Sequence, residues 1–345
     1  MKTMKATRSA LALALAAVFG TATLGAATPA QAQDKSYILT TATTGGTYYP
    51  VGVALATLVK VKLQPDHDIS LSAINSAGSG ENVKLLREDQ AQFAILQGLY
   101  GQWAWNGTGA VESAGPQKHL RAVTMLWQNV EHFAVHADHA ETGTIADIAN
   151  LEGRKFSIGK RNSGTEGSGR TILSNLGHDP ESLFNIAYMG YGPSADALQN
   201  GTISGFNIPG GPPVGAVTRA YASMGEDVRV LDFTDAQIAK ANGDKELWTR
   251  FVIDADTYPN QDAPIRTMAQ PNFLAVHADV PEESVYKITK TIYENLPFLR
   301  NIHKATTAMA LDKATAGLPA PLHPGAARYF REEGIEIPDR LIAEE

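Results

Sequence analysis

The stretch that decides the fold is residues 37–63, which read YILTTATTGGTYYPVGVALATLVKVKL. Apolar and β-branched residues at Tyr37–Ala42 predict a strand, and Thr43–Tyr49 is a loop rich in glycine and threonine. Pro50–Leu63 predicts a helix, with Pro50 at the first helical position, where its missing N–H costs nothing. A strand, a polar loop and a helix in that order form the building unit of an α/β fold.

The same unit recurs along the chain. Strand-like and helix-like segments alternate, which favours mainly parallel sheets flanked by helices. Further strands are predicted at Ile69–Ile74, Phe93–Gln97, Lys155–Gly159, Asn185–Tyr188 and Ile203–Ile208, and further helices at Ser79–Glu88, Thr165–Leu176, Ser194–Asn200 and Pro281–Asn295. Leu120–Trp127, Glu131–Ala137 and Thr267–Val276 are extended, and we expect the first two to carry the chain from one lobe toward the other and the third to bring it back.

Composition limits the classes of protein to consider. The 345 residues include 29 basic and 36 acidic side chains, for a net charge of −7, and no cysteine. The negative charge argues against nucleic acid or an anionic membrane surface as a partner, although a local site can still bind an anion. Without cysteine the chain forms no disulfide and carries no cysteine-linked lipid, and a chain of this length buries enough surface to fold as two lobes unaided.

Residues 1–32 are predicted to be a secretory signal peptide. Three basic residues within the first eight positions precede a run of small apolar residues, and Ala30-Gln31-Ala32 supplies a cleavage site. A transmembrane anchor is the alternative, but glycines and threonines interrupt the run. We therefore expect a periplasmic chain cleaved near Ala32, with 26 basic against 36 acidic residues and a net charge of −10.

Three polar loops lie between a predicted strand and the helix that follows it. They are Thr43–Pro50, Asn75–Asn82 and Arg161–Glu166. The first turn of a helix presents unpaired N–H groups and the positive end of the helix dipole, while glycine and hydroxyl side chains let an anion approach and add donors. Ordinary helix caps use the same residues. Three such loops at the carboxyl ends of strands nevertheless favour an anion site, with Thr44 and Arg161 among its candidate contacts.

Motifs for other chemistry are incomplete. Neither nucleotide-binding glycine fingerprint occurs. Ser157 and Lys160 match S-x-x-K, but the supporting motifs of that enzyme class are missing and Ser157 lies in a predicted strand. His132 and His136 would be about 13 Å apart on a strand, too far for one metal ion. We expect no catalytic residue, no metal site and no cofactor.

Several longer motifs follow one another in an order typical of a known family. They are Thr44-Gly-Gly-Thr-Tyr-Tyr-Pro-Val-Gly52, Gly78-Ser-Gly-Glu-Asn82 with Phe93-Ala-Ile-Leu-Gln97, Leu151-Glu-Gly-Arg-Lys155, Ser163-Gly-Thr-Glu166, Tyr286-Lys-Ile-Thr-Lys290, and Pro321-Leu-His-Pro-Gly-Ala326 followed by Tyr329. Together they cover nearly all of the chain after residue 32, and they resemble the TAXI-type solute receptors of TRAP transporters.

The resemblance implies a fold, a ligand and a partner. The fold is the two-lobed periplasmic-binding-protein fold of type II, in which each lobe is a mainly parallel sheet flanked by helices and crossover strands form the hinge. Residues 33–126 and 268–345 would form the first lobe and residues 127–267 the second. The ligand would be a small organic anion, such as a dicarboxylate, an oxo acid or a glutamate-like molecule. The partner would be a TRAP permease with small and large subunits, separate or fused, and the receptor would be a monomer.

The resemblance also implies the contacts with the solute. The first lobe would contribute Gly46, Thr47, Tyr48 or Tyr49, Ser79, Asn82 and Gln97, and the second would contribute Ser163, Gly164 and Thr165. Gly210 and Gly211 lie in the turn Pro209-Gly-Gly-Pro-Pro213, where family members often carry Gly-His-Pro. Because this chain has no histidine there, we expect the turn to affect which solute is bound.

Two other functions remain open at this level. One is a periplasmic binding module that feeds a sensor kinase, which neighbouring permease genes would argue against. The other is a periplasmic hydrolase or transpeptidase that uses Ser157 and Lys160, which labelling of Ser157 by an acylating probe would support.

Overall fold

The computed structural model describes residues 35–343, so the predicted signal peptide lies outside the described residues. The strands are β1 (Lys35–Thr40), β2 (Ile69–Ile74), β3 (Phe93–Gln97), β4 (Leu120–Val130), β5 (Phe133–His136), β6 (Lys155–Ser157), β7 (Asn185–Ala187), β8 (Gly205–Asn207), β9 (Val228–Val230), β10 (Thr249–Ile253) and β11 (Ile265–His277). The α-helices are α1 (Tyr48–His67), α2 (Ser79–Arg87), α3 (Gly98–Asn106), α4 (Gly164–Leu176), α5 (Pro180–Leu183), α6 (Tyr191–Gln199), α7 (Gly215–Met224), α8 (Asp235–Asn242), α9 (Glu282–Glu294), α10 (Leu296–Ile302) and α11 (Pro324–Glu332).

The larger sheet has the strand order β10-β11-β3-β1-β2, and β4 also pairs with β11. β1 runs parallel to β2 and β3, whereas β11 runs antiparallel to β3, β4 and β10. From the sequence, residues 249–253 were assigned to the second lobe. β10 pairs with the first part of β11, Ile265–Ala269, and its Ile253 packs in the cluster that contains Phe206 of the smaller sheet. The boundaries at 126/127 and 267/268 stay a prediction.

The smaller sheet has the order β7-β6-β8-β5-β9. β6 runs parallel to β7 and β8, as the alternation of strands and helices predicts, while β5 runs antiparallel to β8 and β9. Both sheets are therefore mixed. In each sheet the antiparallel strand lies at a crossing between the lobes, since β5 follows the first crossing and β11 spans the second.

Backbone hydrogen bonds tie the crossover segments together between the sheets. β4 passes into β5 through Glu131 and His132, and Glu131 N–H donates to the Met268 carbonyl of β11 at 3.0 Å. Val130 N–H donates to the Gly210 carbonyl of the second lobe, also at 3.0 Å. The two crossings thus form one hydrogen-bonded hinge.

Most predicted elements begin or end within a few residues of the observed ones, and two strands match at both ends. β2 and β3 have the predicted bounds. α1 begins two residues before Pro50, because Val51 N–H already donates to the Thr47 carbonyl, and it continues to His67. β6 ends at Ser157, two residues earlier than predicted; Gly159 just beyond it has a φ of +94°, which an extended strand does not adopt.

Three apolar clusters form the interior of the described residues. One lies on the larger sheet and includes Leu39, Phe93 and Phe330. The other two, which pack with the smaller sheet, include Phe206 in one and Phe156 in the other. No helix between residues 35 and 343 is both long and apolar enough to cross a membrane.

Candidate functional site

Four helices begin at one cavity between the two sheets. α1, α2, α4 and α6 have Tyr48, Ser79, Gly164 and Tyr191 as their first residues, and all four residues line this cavity. The first turn of each helix carries N–H groups without an intrahelical partner and the positive end of the helix dipole. The backbone of these four helices, two from each lobe, therefore creates a positive electrostatic potential in the cavity.

The wall of the cavity is polar but carries no charged side chain. Its volume is about 30 Å³, room for no more than a few water molecules. The lining residues are Ala42, Thr43, Gly46, Thr47, Tyr48, Ala77, Gly78, Ser79, Gln97, Asn129, Gly164, Thr165, Tyr191 and Pro209. Hydroxyls, amides and backbone therefore provide all its hydrogen-bonding groups.

Direct hydrogen bonds hold the lobes together around the cavity. Gln97 Nε2 donates to the Gly164 carbonyl at 2.8 Å, and Thr47 Oγ1 donates to the Gly211 carbonyl at 2.9 Å. Nearby, Glu81 N–H donates to the Asn162 carbonyl at 2.9 Å. These contacts describe a closed cleft.

Glycine at position 164 is a steric requirement of this closed form. A Cβ atom there would lie 2.9 Å from the Gln97 side chain and 3.0 Å from Ser79 Oγ, closer than such atoms normally approach. Gly164 therefore lets the N-terminus of α4 touch the opposite lobe.

Two tyrosines are fixed in the cavity wall as neutral phenols. Tyr48 donates its hydroxyl proton to Asn272 Oδ1. Tyr191 donates to the Pro209 carbonyl at 2.7 Å and lies 2.8 Å from Thr165 Oγ1. Burial raises the pKa of both phenols far above its usual range, so both stay protonated at neutral pH.

Two polar atoms of the cavity wall are buried without a hydrogen-bond partner. They are Thr43 Oγ1 and Asn129 Oδ1. The Asn129 amide nitrogen is already used, because it donates to Gln97 Oε1 at 3.1 Å. An unpaired buried oxygen is costly, so these two atoms mark where a bound molecule would make hydrogen bonds. Asn129 Oδ1 can only accept, and it therefore requires a donor.

The structure brings half of the sequence-predicted site residues together. Seven of them line the cavity: Gly46, Thr47, Tyr48, Ser79, Gln97, Gly164 and Thr165. Ser163 lies just behind them and caps α4, since its Oγ accepts from Glu166 N–H at 3.0 Å. Its role in the closed structure is to start the helix.

The other predicted residues lie elsewhere. Thr44 is exposed and Tyr49 is half-buried, and neither lines the cavity. Gly210 and Gly211 do not line it either; the Gly210 carbonyl accepts from Val130 N–H, and the Gly211 carbonyl accepts from Thr47 Oγ1.

Asn82 and Arg161 have structural partners that account for their positions. The Asn82 amide donates to the carbonyls of Thr41 and Ile95, and its oxygen accepts from Ser76, so this side chain ties the first two loops to β3. Arg161 is exposed, and its guanidinium stacks on the Tyr188 ring at 3.7 Å. It does not face the cavity.

Sequence reasoning missed Asn129 and Tyr191. Tyr191 follows Met189-Gly190 at the carboxyl end of β7, so a fourth strand-to-helix junction was present in the sequence. Asn129 lies in a strand that is otherwise mostly apolar, where a polar side chain is a signal of function.

The residues considered for other chemistry are engaged elsewhere. Ser157 Oγ is buried 2.7 Å from Ser194 Oγ, and Lys160 is exposed. His132 is buried, with its ring nitrogens 2.9 Å from the Val130 carbonyl and 2.7 Å from the Tyr258 hydroxyl. Among residues 35–343 no three His, Cys, Asp or Glu side chains are grouped as a metal site would require.

Comparison with known proteins identifies a matching family and several similar structures. Residues 39–334 match the model of a family described as NMT1-like. PhnD1 from Prochlorococcus marinus MIT 9301, in complex with methylphosphonate, has a similar structure, with a TM-score of 0.52 and 13% identity over 87% of this chain and 99% of that one.

Two further structures are similar at the same level. The periplasmic binding protein BugD has a TM-score of 0.51 and 11% identity over 86% of this chain and 93% of its own. MatC from Rhodopseudomonas palustris, with bound malate, has a TM-score of 0.50 and 12% identity over 86% and 96%. At these identities the likeness establishes the fold, which is the two-lobed fold of the periplasmic binding proteins.

Proposed function

This chain belongs to the NMT1-like family, and on that premise we propose that it is an extracytoplasmic solute receptor that captures a small organic anion between its lobes. One observation carries the proposal. Four helix N-termini, two from each lobe, meet at a single cavity whose wall has no charged side chain. Backbone N–H groups and helix dipoles favour a carboxylate there without a buried arginine or lysine.

The proposed ligand carries a hydrogen-bond donor as well as negative charge. Hydroxyls of Thr47, Ser79 and Thr165 surround the helix N-termini and suit a carboxylate, while Asn129 Oδ1 can only accept. A hydroxy acid, or an amino acid such as glutamate, satisfies both requirements. The small anions malate and methylphosphonate, bound by MatC and PhnD1, are consistent with this class.

Opening and closing of the lobes would govern capture. A cavity of about 30 Å³ is too small to hold a dicarboxylate, so the lobes would stand further apart than this when solute is bound. The solute would enter an open form, and rotation about the crossover segments would then bring Gln97 and Gly164 toward each other over it. Closure removes water, which strengthens the interaction between the anion and the helix N-termini.

We further propose that the receptor acts in the periplasm as a monomer and delivers its solute to a TRAP permease, as a member of the TAXI type. The export segment at residues 1–32 and the family motifs support this assignment. Loss of solute uptake on deleting a neighbouring permease gene, with the receptor still present, would test it.

Isothermal titration tests the ligand proposal. The protein would be refolded to remove any bound solute and titrated with L-glutamate, L-malate, succinate and 2-oxoglutarate. Glucose and putrescine serve as neutral and cationic controls. We expect at least one acid to bind, malate or glutamate more tightly than succinate, and neither control. Binding of only the sugar or the amine would disprove the anion assignment.

A further inference from the structure

A single carboxyl group lies buried in the hinge. Glu131 connects β4 to β5 and is fully buried. Its oxygens accept from Asn207 Nδ2 at 3.0 Å and from Trp248 Nε1 at 3.3 Å, and the side chains of Ser168 and Gln270 lie nearby. All four neighbours are neutral, so no cation balances the charge of this carboxylate within the described residues.

Two independent relations place Glu131 behind the wall of the cleft. Asn129, two residues earlier, lines the cavity, and side chains two apart along an extended chain share a face. Ser168, its neighbour on α4, is three residues after Thr165, which also lines the cavity; residues three apart on a helix share a face as well. The carboxyl group therefore lies close behind the cavity wall.

The electrostatics agree with this position. Burial is the main cause of the raised pKa of the Tyr48 and Tyr191 phenols, which line the cavity, and the negative charge of Glu131 raises it further. A negative charge inside the cavity would act on Glu131 in the same way. Because the region is dry and has no counter-ion, the repulsion between the two charges is only weakly screened.

Two phenols and one imidazole near Glu131 keep a fixed charge near neutral pH. Tyr48 on α1 and Tyr191 on α6 stay protonated, and burial lowers the pKa of His132 to about 4, so that it stays neutral. On α4, Glu166 and Arg170 pair with each other at 3.4 Å. Burial raises the pKa of Glu131 itself to about 7, although its hydrogen bonds oppose the shift. Both of its forms are thus accessible at neutral pH.

We propose that capture of an anion in this cleft is coupled to uptake of one proton by Glu131, so that the receptor binds solute and proton together. The proton comes from solvent and forms an O–H bond on the Glu131 carboxylate, which becomes a neutral acid. The charge left in the interior is then that of the ligand alone, because protonated Glu131 is neutral. This inference rests on the proposed function, since it requires an anionic ligand.

Proton uptake is measurable by titration calorimetry in buffers of different ionisation enthalpy. L-malate, succinate and 2-oxoglutarate are suitable probes, because none of them titrates between pH 7 and pH 8.5. Heats of binding in phosphate and in Tris at one pH give the number of protons taken up. We expect uptake to rise toward one between pH 6.5 and pH 8.5, with affinity falling by up to tenfold per pH unit above pH 7.

Glu131→Gln removes the titrating group and keeps the shape of the side chain. We expect this variant to bind without proton uptake and with an affinity that does not vary from pH 7 to pH 8.5. Glu181→Gln is the matched control, because Glu181 is an exposed carboxylate paired with Arg170. It should leave both the uptake and the pH dependence as in the original protein.

The outcomes separate this inference from the proposed function. Binding of any of these acids with no proton uptake at any pH overturns the coupling and leaves the anion receptor intact. Failure of every acid to bind disproves the receptor proposal itself, and the coupling with it. If Glu131→Gln does not fold, infrared difference spectra of the unchanged protein decide. On binding of the acid, a protonated carboxyl band must appear that shifts when the glutamate residues of the protein are labelled with ¹³C. The absence of this band overturns the coupling.

Discussion

Thr165 is the residue whose contribution to binding is easiest to isolate. It lies in the first turn of α4, lines the cavity and shares a hydrogen bond of 2.8 Å with the Tyr191 hydroxyl. Thr165→Val keeps the shape and removes the hydroxyl. We expect ligand affinity to fall by about 1–3 kcal/mol, because an anion would lose a donor in a dry site. Titration calorimetry with the tightest-binding acid measures the loss.

Thr171→Val is the matched control on the same helix. Its hydroxyl donates to the Gly167 carbonyl at 2.9 Å and takes no part in the cavity wall. Affinity should therefore be unchanged in this variant. An equal loss in both would mean that the hydroxyls act through the helix, and an unchanged affinity in Thr165→Val would remove Thr165 from the site.

Glu131 also has a consequence for stability in the absence of ligand. Burial raises its pKa from 4.5 to about 7, so the fold favours the protonated form. Its stabilising contribution is complete below pH 4.5 and is lost as pH rises through 7, a change of about 3 kcal/mol. Glu131→Gln should therefore gain stability relative to the original protein between pH 5 and pH 8, as measured by urea unfolding.

Buried histidines change the unfolding free energy with pH in the opposite direction to Glu131. The effect of Glu131 therefore has to be measured as the difference between the original protein and Glu131→Gln. Burial lowers the pKa of His132 and His323 to about 4, so their contributions are present above pH 6.5 and lost as pH falls toward 4. They are common to both proteins and cancel in the difference. A difference in unfolding free energy that does not vary with pH would show that Glu131 does not titrate in this range.

Sequence reasoning identified the side chains whose place follows from the loop itself. Gly46, Ser79 and Gly164 line the cavity because each lies in a strand-to-helix junction. Arg161 lies in such a loop too, but its side chain is long enough to reach the Tyr188 ring on the outer surface. Whether such a long side chain points into the cavity or lies on the outer surface depends on tertiary neighbours that the sequence does not reveal.

At the scale of elements, the N-terminus of α4 is the part that meets the opposite lobe. Gly164→Ala would place a methyl group 2.9 Å from the buried Gln97 side chain. We expect ligand affinity to fall by roughly 5- to 150-fold, since crowding of this kind costs about 1–3 kcal/mol and acts only on the closed form. The free energy of unfolding without ligand should not fall, because alanine has a higher helix propensity than glycine.

Gly215→Ala is the control for that substitution. Gly215 is also the first residue of a helix, α7, at the contact between lobes, but a Cβ there would meet nothing closer than the Gly45 carbonyl at 3.6 Å. Affinity should be retained. Small-angle scattering with saturating acid should show a more expanded molecule for Gly164→Ala alone, and equal compaction of both variants would contradict the closure argument.

Elements with a plain periodic pattern were predictable, whereas α3 was not. β2 and β3 are short β-branched or apolar runs bounded by polar residues, and local preference suffices for them. α3 contains two glycines and two tryptophans, which are weak helix formers. A Cβ on Gly101 would lie 2.4 Å from Pro319 and 2.7 Å from Phe273. Packing against distant parts of the chain therefore selects both the helix and its glycine.

On the scale of the whole molecule, the two sheets do not have separate interiors. Leu99 of α3, which follows β3 of the larger sheet, packs in the same cluster as Phe156 of the smaller one. Met268 of β11 belongs to that cluster as well, and Ala269 belongs to the other cluster of the smaller sheet. No cysteine is available to cross-link the lobes, so these shared clusters and the hinge hydrogen bonds hold them together.

The alternation of strands and helices predicted two α/β lobes but not their connection. The motifs identified the type of fold, and the extended segments near residues 120 and 267 indicated the crossings. That β10 pairs in the larger sheet could not be read from residues 249–253, because strand pairing depends on the partner's position as well as on the strand's own sequence.

Shared interiors predict that the receptor unfolds as one unit. Calorimetric heating should show a single transition, and an acid present at 100 times its dissociation constant should raise the unfolding free energy by about 2.7 kcal/mol. For a chain of this size that corresponds to an increase in Tm of roughly 5 °C. Since the ligand contacts both lobes, the whole transition should move without splitting. Two transitions, of which the acid moves only one, would show instead that one lobe binds the solute alone and that closure adds nothing to its affinity.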